Sequence, residues 1–293
     1  MFVAVLSDKP ELRENFCKNF GSEISRDDIC IYSANDGSKK IWLIDPVNYP
    51  EKIQPLLYTL SMADFVVLMV DGLTPKVGEL MVALNSLRLD RGVIVTSANL
   101  PVGGTVLEKY EKVADQKTAT DRVRAASVNA GENAIGLVYK TANQPSLGHV
   151  AYGALKGGKV KKQDKLFLLP DRKDVEIRSI HVNGSDVEEL SATSNFEIAY
   201  KGDLVERGIL APLRHEYQVE NIVNGRFTKS PFFKDELKGK IHAYTNMQYV
   251  EGHLTDNDLT LSAPLAFEKG ELILVVDASN QKLRIAGVFQ SKW

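Results

Sequence analysis

The chain has 293 residues, 44% hydrophobic and 25% charged, with a formal net charge of −2. That balance excludes the bulk positive field of a general nucleic-acid binder. No apolar run approaches the ~20 residues of a membrane-spanning helix, so no membrane partner is expected. The two cysteines, Cys17 and Cys30, have neither a disulfide framework nor zinc-like spacing. The N-terminus lacks the basic region of a signal peptide. Free thiols in a reducing, cytoplasmic setting are the expectation.

In chain order, residues 2–6 (FVAVL) read as a buried strand, and residues 10–20 (PELRENFCKNF) as a helix with Pro10 in its first turn. Strand, Asn-Asp-Gly turn and strand follow as a hairpin over residues 29–45 (ICIYSANDGSKKIWLID). A helix is expected over 52–63, a strand at 65–70 (FVVLMV), a helix over 75–90, a strand at 92–96 (GVIVT) and a helix at LEKYEKVA. Alternating strands and helices predict an α/β sheet with helices on both faces. Residues 116–133 are polar, with little apolar period, and read as a linker. From Ala134 onward, short β-rich runs separated by Gly, Asn and Asp predict small barrels. The expected division is 1–115 for the α/β domain, 134–212 for one barrel and 213–293 for a second.

The stretch 148–164, GHVAYGALKGGKVKKQD, resembles the barrel-2 signature of translational GTPases. Gly148, Val150, Gly153, Gly158, Lys159, Val160 and Asp164 fall in register with it. VEIRSIHVNGSDVEEL resembles the run that follows in that family. SPFFKDELKGKIHAYTNMQYVEGHL and LRIAGVF are similar to the third barrel of the archaeal selenocysteine-specific factor SelB. The resemblance spans nearly the whole chain and implies an elongation-factor-Tu-like layout: a parallel G-domain-like sheet followed by two antiparallel β-barrels.

The same resemblance exposes altered nucleotide elements. The family's P-loop wraps phosphates with bare backbone N–H groups and a lysine. Here Ser7 and Leu12 stand at its glycines, Arg13 at the lysine and Glu14 at the magnesium-binding hydroxyl. Glu14, with Asp8 and Glu11, is expected to put acid where a triphosphate would sit. Like charges ~4 Å apart repel by roughly 4 kcal/mol at an effective dielectric of about 20. The family's D-x-x-G becomes Asp45-Pro46-Val47-Asn48. Asn48 replaces the glycine and Tyr49 the water-positioning histidine. Asp-Pro starts turns, so Asp45 reads as a turn cap rather than a metal ligand. The base-recognition loop appears as Thr96-Ser97-Ala98-Asn99, without the lysine, and Asn99 cannot accept as a carboxylate does. No cofactor and no catalytic residue are expected.

Lys156, Lys159, Lys161, Lys162 and Lys165 form a basic cluster that either solvates a hairpin or contacts RNA phosphates. His149, His181, His215, His242 and His253 lack the spacing of a zinc site, so no metal is expected. Phe232, Phe233, Tyr244 and Tyr249 read as barrel core rather than base-stacking platforms. The sequence ends where a third domain of the family ends, which sets the expectation that this chain alone does not deliver selenocysteine. The functional expectation is an elongation-factor-like protein without GTP binding or hydrolysis that engages tRNA, another RNA, the ribosome or a translation factor. The alternatives are a protein-interaction module docking through its inactive G-like domain, and a functional GTP-binding factor.

Overall fold

The computed structural model describes every residue except 38, 183, 204, 205, 213–216, 238, 256 and 293. The expected start of the last barrel at residue 213, His215 and the C-terminal Trp293 lie outside the described residues. By contact the chain forms two compact units. One comprises Met1–Val128, Phe227–His242 and Leu272–Gln290; the other contains Asn129–Arg226 and Ala243–Glu271.

The first unit begins with β1 (Phe2–Leu6), α1 (Pro10–Phe20), β2 (Ser22–Arg26), β3 (Cys30–Asp36) and β4 (Lys39–Asp45). It continues with α2 (Gln54–Met62), β5 (Phe65–Met69), α3 (Pro75–Ser86), β6 (Gly92–Val95), β7 (Glu111–Val113) and α4 (Gln116–Ala125). The seven strands lie in the order β2-β3-β4-β1-β5-β6-β7. β1 pairs in parallel with β4 and β5, and β6 in parallel with β5 and β7. β2, β3 and β4 pair antiparallel. Every residue of β1 is buried, as a central strand covered on both faces requires. Val3 and Val5 share a core with Phe16, Cys17 and Phe20 of α1 and Ala119 and Val123 of α4. Strand alternation turns Phe2 to the other face, where it stacks on Trp42 with ring centroids 6.3 Å apart.

Three local expectations differ from what forms. Residues 22–26 add an edge strand to the expected hairpin. LEKYEKVA is not an α-helix: a 3-10 turn at Val106–Lys109 gives way to β7. Tyr110 fixes that change by burying its ring and donating its hydroxyl to the Leu89 carbonyl at 2.7 Å. Residues 116–125, inside the stretch read as a linker, form α4, capped by Asp115 accepting from the Thr118 N–H at 2.8 Å. Its apolar face is only Ala119 and Val123, too sparse to register as a helical period.

The second part is all β: β8 (Ile135–Gln144), β9 (Gly148–Gly157), β10 (Lys159–Lys161), β11 (Lys165–Leu169), β12 (Lys173–Val182), β13 (Ser185–Val187), β14 (Glu189–Ser191), β15 (Ser194–Lys201) and β16 (Gly208–Pro212). β11-β16-β8-β9-β15-β12 is a ring, closed by antiparallel pairing of β11 with β12; β13 extends from β12. The motif residues are explained by packing. A Cβ on Gly153 would meet the Phe196 ring at 2.3 Å. Gly158 turns at φ +57° against the backbone of Ala134, and Asp164 accepts from the Lys161 N–H at 2.7 Å. Six further strands follow: β17 (Gln218–Lys229), β18 (Ile241–Thr245), β19 (Gln248–Leu254), β20 (Asp258–Phe267), β21 (Leu272–Val276) and β22 (Ile285–Ser291). They close in the order β17-β20-β19-β18-β21-β22. The expected layout, a parallel-dominated sheet followed by two antiparallel barrels, is the one observed. Phe233 and Tyr244 are buried as expected, whereas Phe232 is 53% exposed and is not core.

Candidate functional site

The loop after β1 is three residues long, and two backbone donors at its end are met by local acceptors. The Lys9 N–H donates to Ser7 Oγ at 3.2 Å and the Leu12 N–H to the Lys9 carbonyl at 3.2 Å. Pro10 contributes no N–H. α1 then places Arg13, one turn in, against the C-terminal end of β4. The side chain is fully buried.

Four acceptors converge on its guanidinium. Nε donates to Asp45 Oδ1 at 2.7 Å, Nη1 to the Ser7 carbonyl at 2.7 Å, and Nη2 to the carbonyls of Pro46 and Tyr49 at 3.0 and 2.9 Å. A planar fork with five donors suits such a set, where a lysine point charge would not. Asp45 is therefore the buried counter-ion of Arg13, not the turn cap expected from Asp-Pro. Burial raises its carboxyl above the ordinary range, against the pull of Arg13.

Tyr49 leads to a second buried pair. It is fully buried, and its hydroxyl donates to the Lys76 carbonyl at 2.9 Å and to Glu79 Oε1 at 3.3 Å. Burial, then the charge of Glu79, raises the phenol so that it stays protonated. Glu79, fully buried on α3, accepts from the backbone N–H and Nε of Arg284, each at 2.9 Å, and also from its Nη2. Arg284 Nη1 reaches the Glu51 carbonyl at 3.2 Å, and the guanidinium lies 5.7 Å from the Tyr49 ring centre. Burial pushes the Glu79 carboxyl up, but the Arg284 hydrogen bonds and charge outweigh it and hold it below its ordinary value.

Thus Ser7, Arg13, Asp45 and Tyr49 come together. Leu12 is half-buried on α1. Glu14 does not bring acid to the cradle: it faces outward, paired with Lys18 at 2.9 Å and Arg26 at 3.2 Å. Asn48 accepts from the Lys52 N–H through its carbonyl, and Ser97 and Asn99 are exposed beyond β6. Glu79 and Arg284 were not singled out in the sequence. The available signals were a carboxylate among the apolar residues of α3 and an arginine between Leu283 and Ile285.

In the other unit, the basic cluster is mostly paired. Lys159 and Lys161 meet Glu189 at 2.7 and 3.3 Å, and Lys162 meets Asp186 at 2.9 Å and Glu188 at 2.7 Å. Lys156 is half-buried on β9. Lys165 is exposed and lines a cleft of about 490 Å³ with Asp174, Glu176 and Lys201. Among the described residues no cluster of His, Cys, Asp or Glu could hold a metal ion. Among the described residues no helix is long and apolar enough to cross a membrane.

No family model matches the sequence. The chain is 25% identical over 298 residues to an uncharacterized protein of Methanocaldococcus jannaschii, covering 94% of this chain and 95% of that one. Its structure is similar to translation elongation factor SelB of Methanococcus maripaludis, solved in complex with the GTP analogue GPPNHP. The TM-score is 0.79 at 18% identity, over 100% of this chain and 79% of that one. The apo form of the same factor gives 0.78 at 17% identity, with the same coverage. A bacterial selenocysteine-specific elongation factor, EF-Sec, gives 0.73 at 17% identity; the match covers 98% of this chain but only 58% of that one, less than two thirds of its length. The three-part fold of this chain is therefore that of the SelB and EF-Sec elongation factors.

Proposed function

We propose that this chain is a translation-factor-like protein that works without binding or hydrolysing GTP and docks on the translation machinery through its retained fold. One observation carries the reading. A buried guanidinium fills the space between the β1–α1 loop and the end of β4, with carbonyls and a carboxylate turned toward it. A phosphate cradle needs the opposite polarity, with donors turned inward. A triphosphate would have to displace Arg13 and leave those acceptors unpaired, at a cost of about 1–3 kcal/mol for each buried group. The similarity to SelB and EF-Sec supports a partner in translation: tRNA, another RNA, the ribosome or a translation factor. The test is co-sedimentation with ribosomes and filter binding to tRNA without added nucleotide. Binding to either, unchanged by GTP, supports the proposal; binding to neither at low salt, or binding that requires GTP, overturns it.

A second reading, a protein-docking module built on the α/β unit, draws on a different feature. A groove of about 210 Å³ is lined by Leu73, Pro75, Met81, Val82, Phe232 and Leu283. Leu73 and Phe232 leave 57% and 53% of their surface exposed there. Large apolar side chains clustered at a surface mark interaction sites, and the internal pairing of Lys159, Lys161 and Lys162 weakens the case for RNA phosphates at the basic cluster. Retention of ribosome binding by a Leu73→Glu/Phe232→Glu variant would count against this second reading.

A further inference from the structure

Residues 46–53, between β4 and α2, are held from both ends by arginines. Arg13 takes the carbonyls of Pro46 and Tyr49; Arg284 takes the carbonyl of Glu51, two residues further on. Between them the Tyr49 side chain, fully buried, ties the segment to Lys76 and Glu79 of α3. Both arginines have buried carboxylate partners, Asp45 and Glu79. All of these residues belong to the first contact unit, together with the β21–β22 hairpin that carries Arg284.

We propose that the Asp45–Arg13 and Glu79–Arg284 pairs are one energetically coupled clamp, linked through Tyr49, so that loosening the Arg13 cradle loosens the β21–β22 hairpin and the reverse. The physical reason is shared support. The backbone at Tyr49 is an Arg13 acceptor and its side chain is a Glu79 neighbour, so any shift that relieves an unpaired charge at one end moves a contact of the other. Groups joined in one buried polar network depart from additivity, while independent pairs add. The clamp does not depend on which partner the protein docks with. It fixes the segment that connects the cradle to the last barrel's strands in one arrangement, set by side chains of the chain itself.

The test is a double-mutant cycle in the full chain, with Arg13→Met, Arg284→Met and the double variant compared by urea unfolding. The unfolding constant of the double variant is expected to differ from the product of the single effects by about tenfold, or about 1.4 kcal/mol. The same cycle built on Tyr49→Phe should return to within about twofold of additivity. Native-state amide exchange gives a second readout. Arg13→Met should speed exchange across residues 272–290, and Arg284→Met across residues 46–53 and the start of α1. If the Met variants do not fold, Arg13→Lys and Arg284→Lys serve for the exchange measurement, since each keeps the charge and loses the fork. Additive effects, with exchange changes confined to the mutated end, overturn the clamp.

Discussion

Arg13 Nε lies 2.7 Å from Asp45 Oδ1, with both side chains almost wholly inside the protein. Their geometry converts two positions that the family resemblance ties to nucleotide chemistry into a structural ion pair. Burying such a pair is expensive, and its attraction repays the desolvation only when the remaining hydrogen-bonding groups are satisfied. Here three carbonyls complete the guanidinium's set.

Removing one partner should therefore cost more than removing both. Arg13→Met leaves Asp45 buried without its counter-charge and is expected to destabilise by about 3–5 kcal/mol. Arg13→Met combined with Asp45→Asn should cost less than Arg13→Met alone. Urea unfolding of the wild type and these two variants checks the order; a double variant less stable than the Arg13→Met single would contradict it.

The Glu79–Arg284 pair predicts acid sensitivity. Glu79 is held below its ordinary 4.5 in the folded chain. Its stabilisation is thus fully present above 4.5 and is lost as pH falls through the lower folded value, where the folded state must take up a proton it resists. Asp45 acts in the opposite sense, because burial raises it above 3.8 and favours its protonated form in the folded state. The difference between wild type and Glu79→Gln isolates the first effect. The variant should be less stable at neutral pH, and the gap should narrow below pH 4.5. Urea midpoints from pH 3 to 7 test this; a constant gap would contradict it.

Cys17 and Cys30 are both buried free thiols. Burial raises Cys17 well above its usual value and pushes Cys30 up to about 12. The thiolate is the reactive form, so the native chain should react with an aromatic disulfide reagent far more slowly than the urea-unfolded chain, which should titrate two thiols. Rapid modification of either thiol in the native state would contradict the packing.

The lysine cluster predicts a weak electrostatic signature. If Lys159, Lys161 and Lys162 each neutralised a phosphate, replacing all three by alanine would flatten the salt dependence of RNA binding by a slope of about 2–3. Because each already meets a carboxylate, a change in slope below about 1 is expected. Filter binding over a salt series measures it.

The architecture was legible because its signals are local. The buried β1 run, the Pro10 helix start, the Asn-Asp-Gly hairpin turn and the barrel glycines each demand one geometry. α4 was missed because only Ala119 and Val123 face the core, and β7 because a three-residue strand is defined by its neighbour β6. The candidate site was half legible. The substitutions at Ser7, Arg13, Asp45 and Tyr49 could be read against the family pattern, yet their mutual contacts depend on folding. Glu14 sits next to Arg13 in sequence and faces away from it in space, because successive helical residues point about 100° apart. Arg284 lies 205 residues from Glu79, a separation at which nothing in the sequence signals a pairing.

In the function proposed here, Arg13 and its acceptors leave no place for a triphosphate. Calorimetric titration of the full chain with GTP, GDP and ATP in the presence of magnesium tests that most directly. No saturable heat is expected with any of the three; saturable binding of a guanine nucleotide, with Arg13 withdrawn from Asp45, would contradict the proposed function.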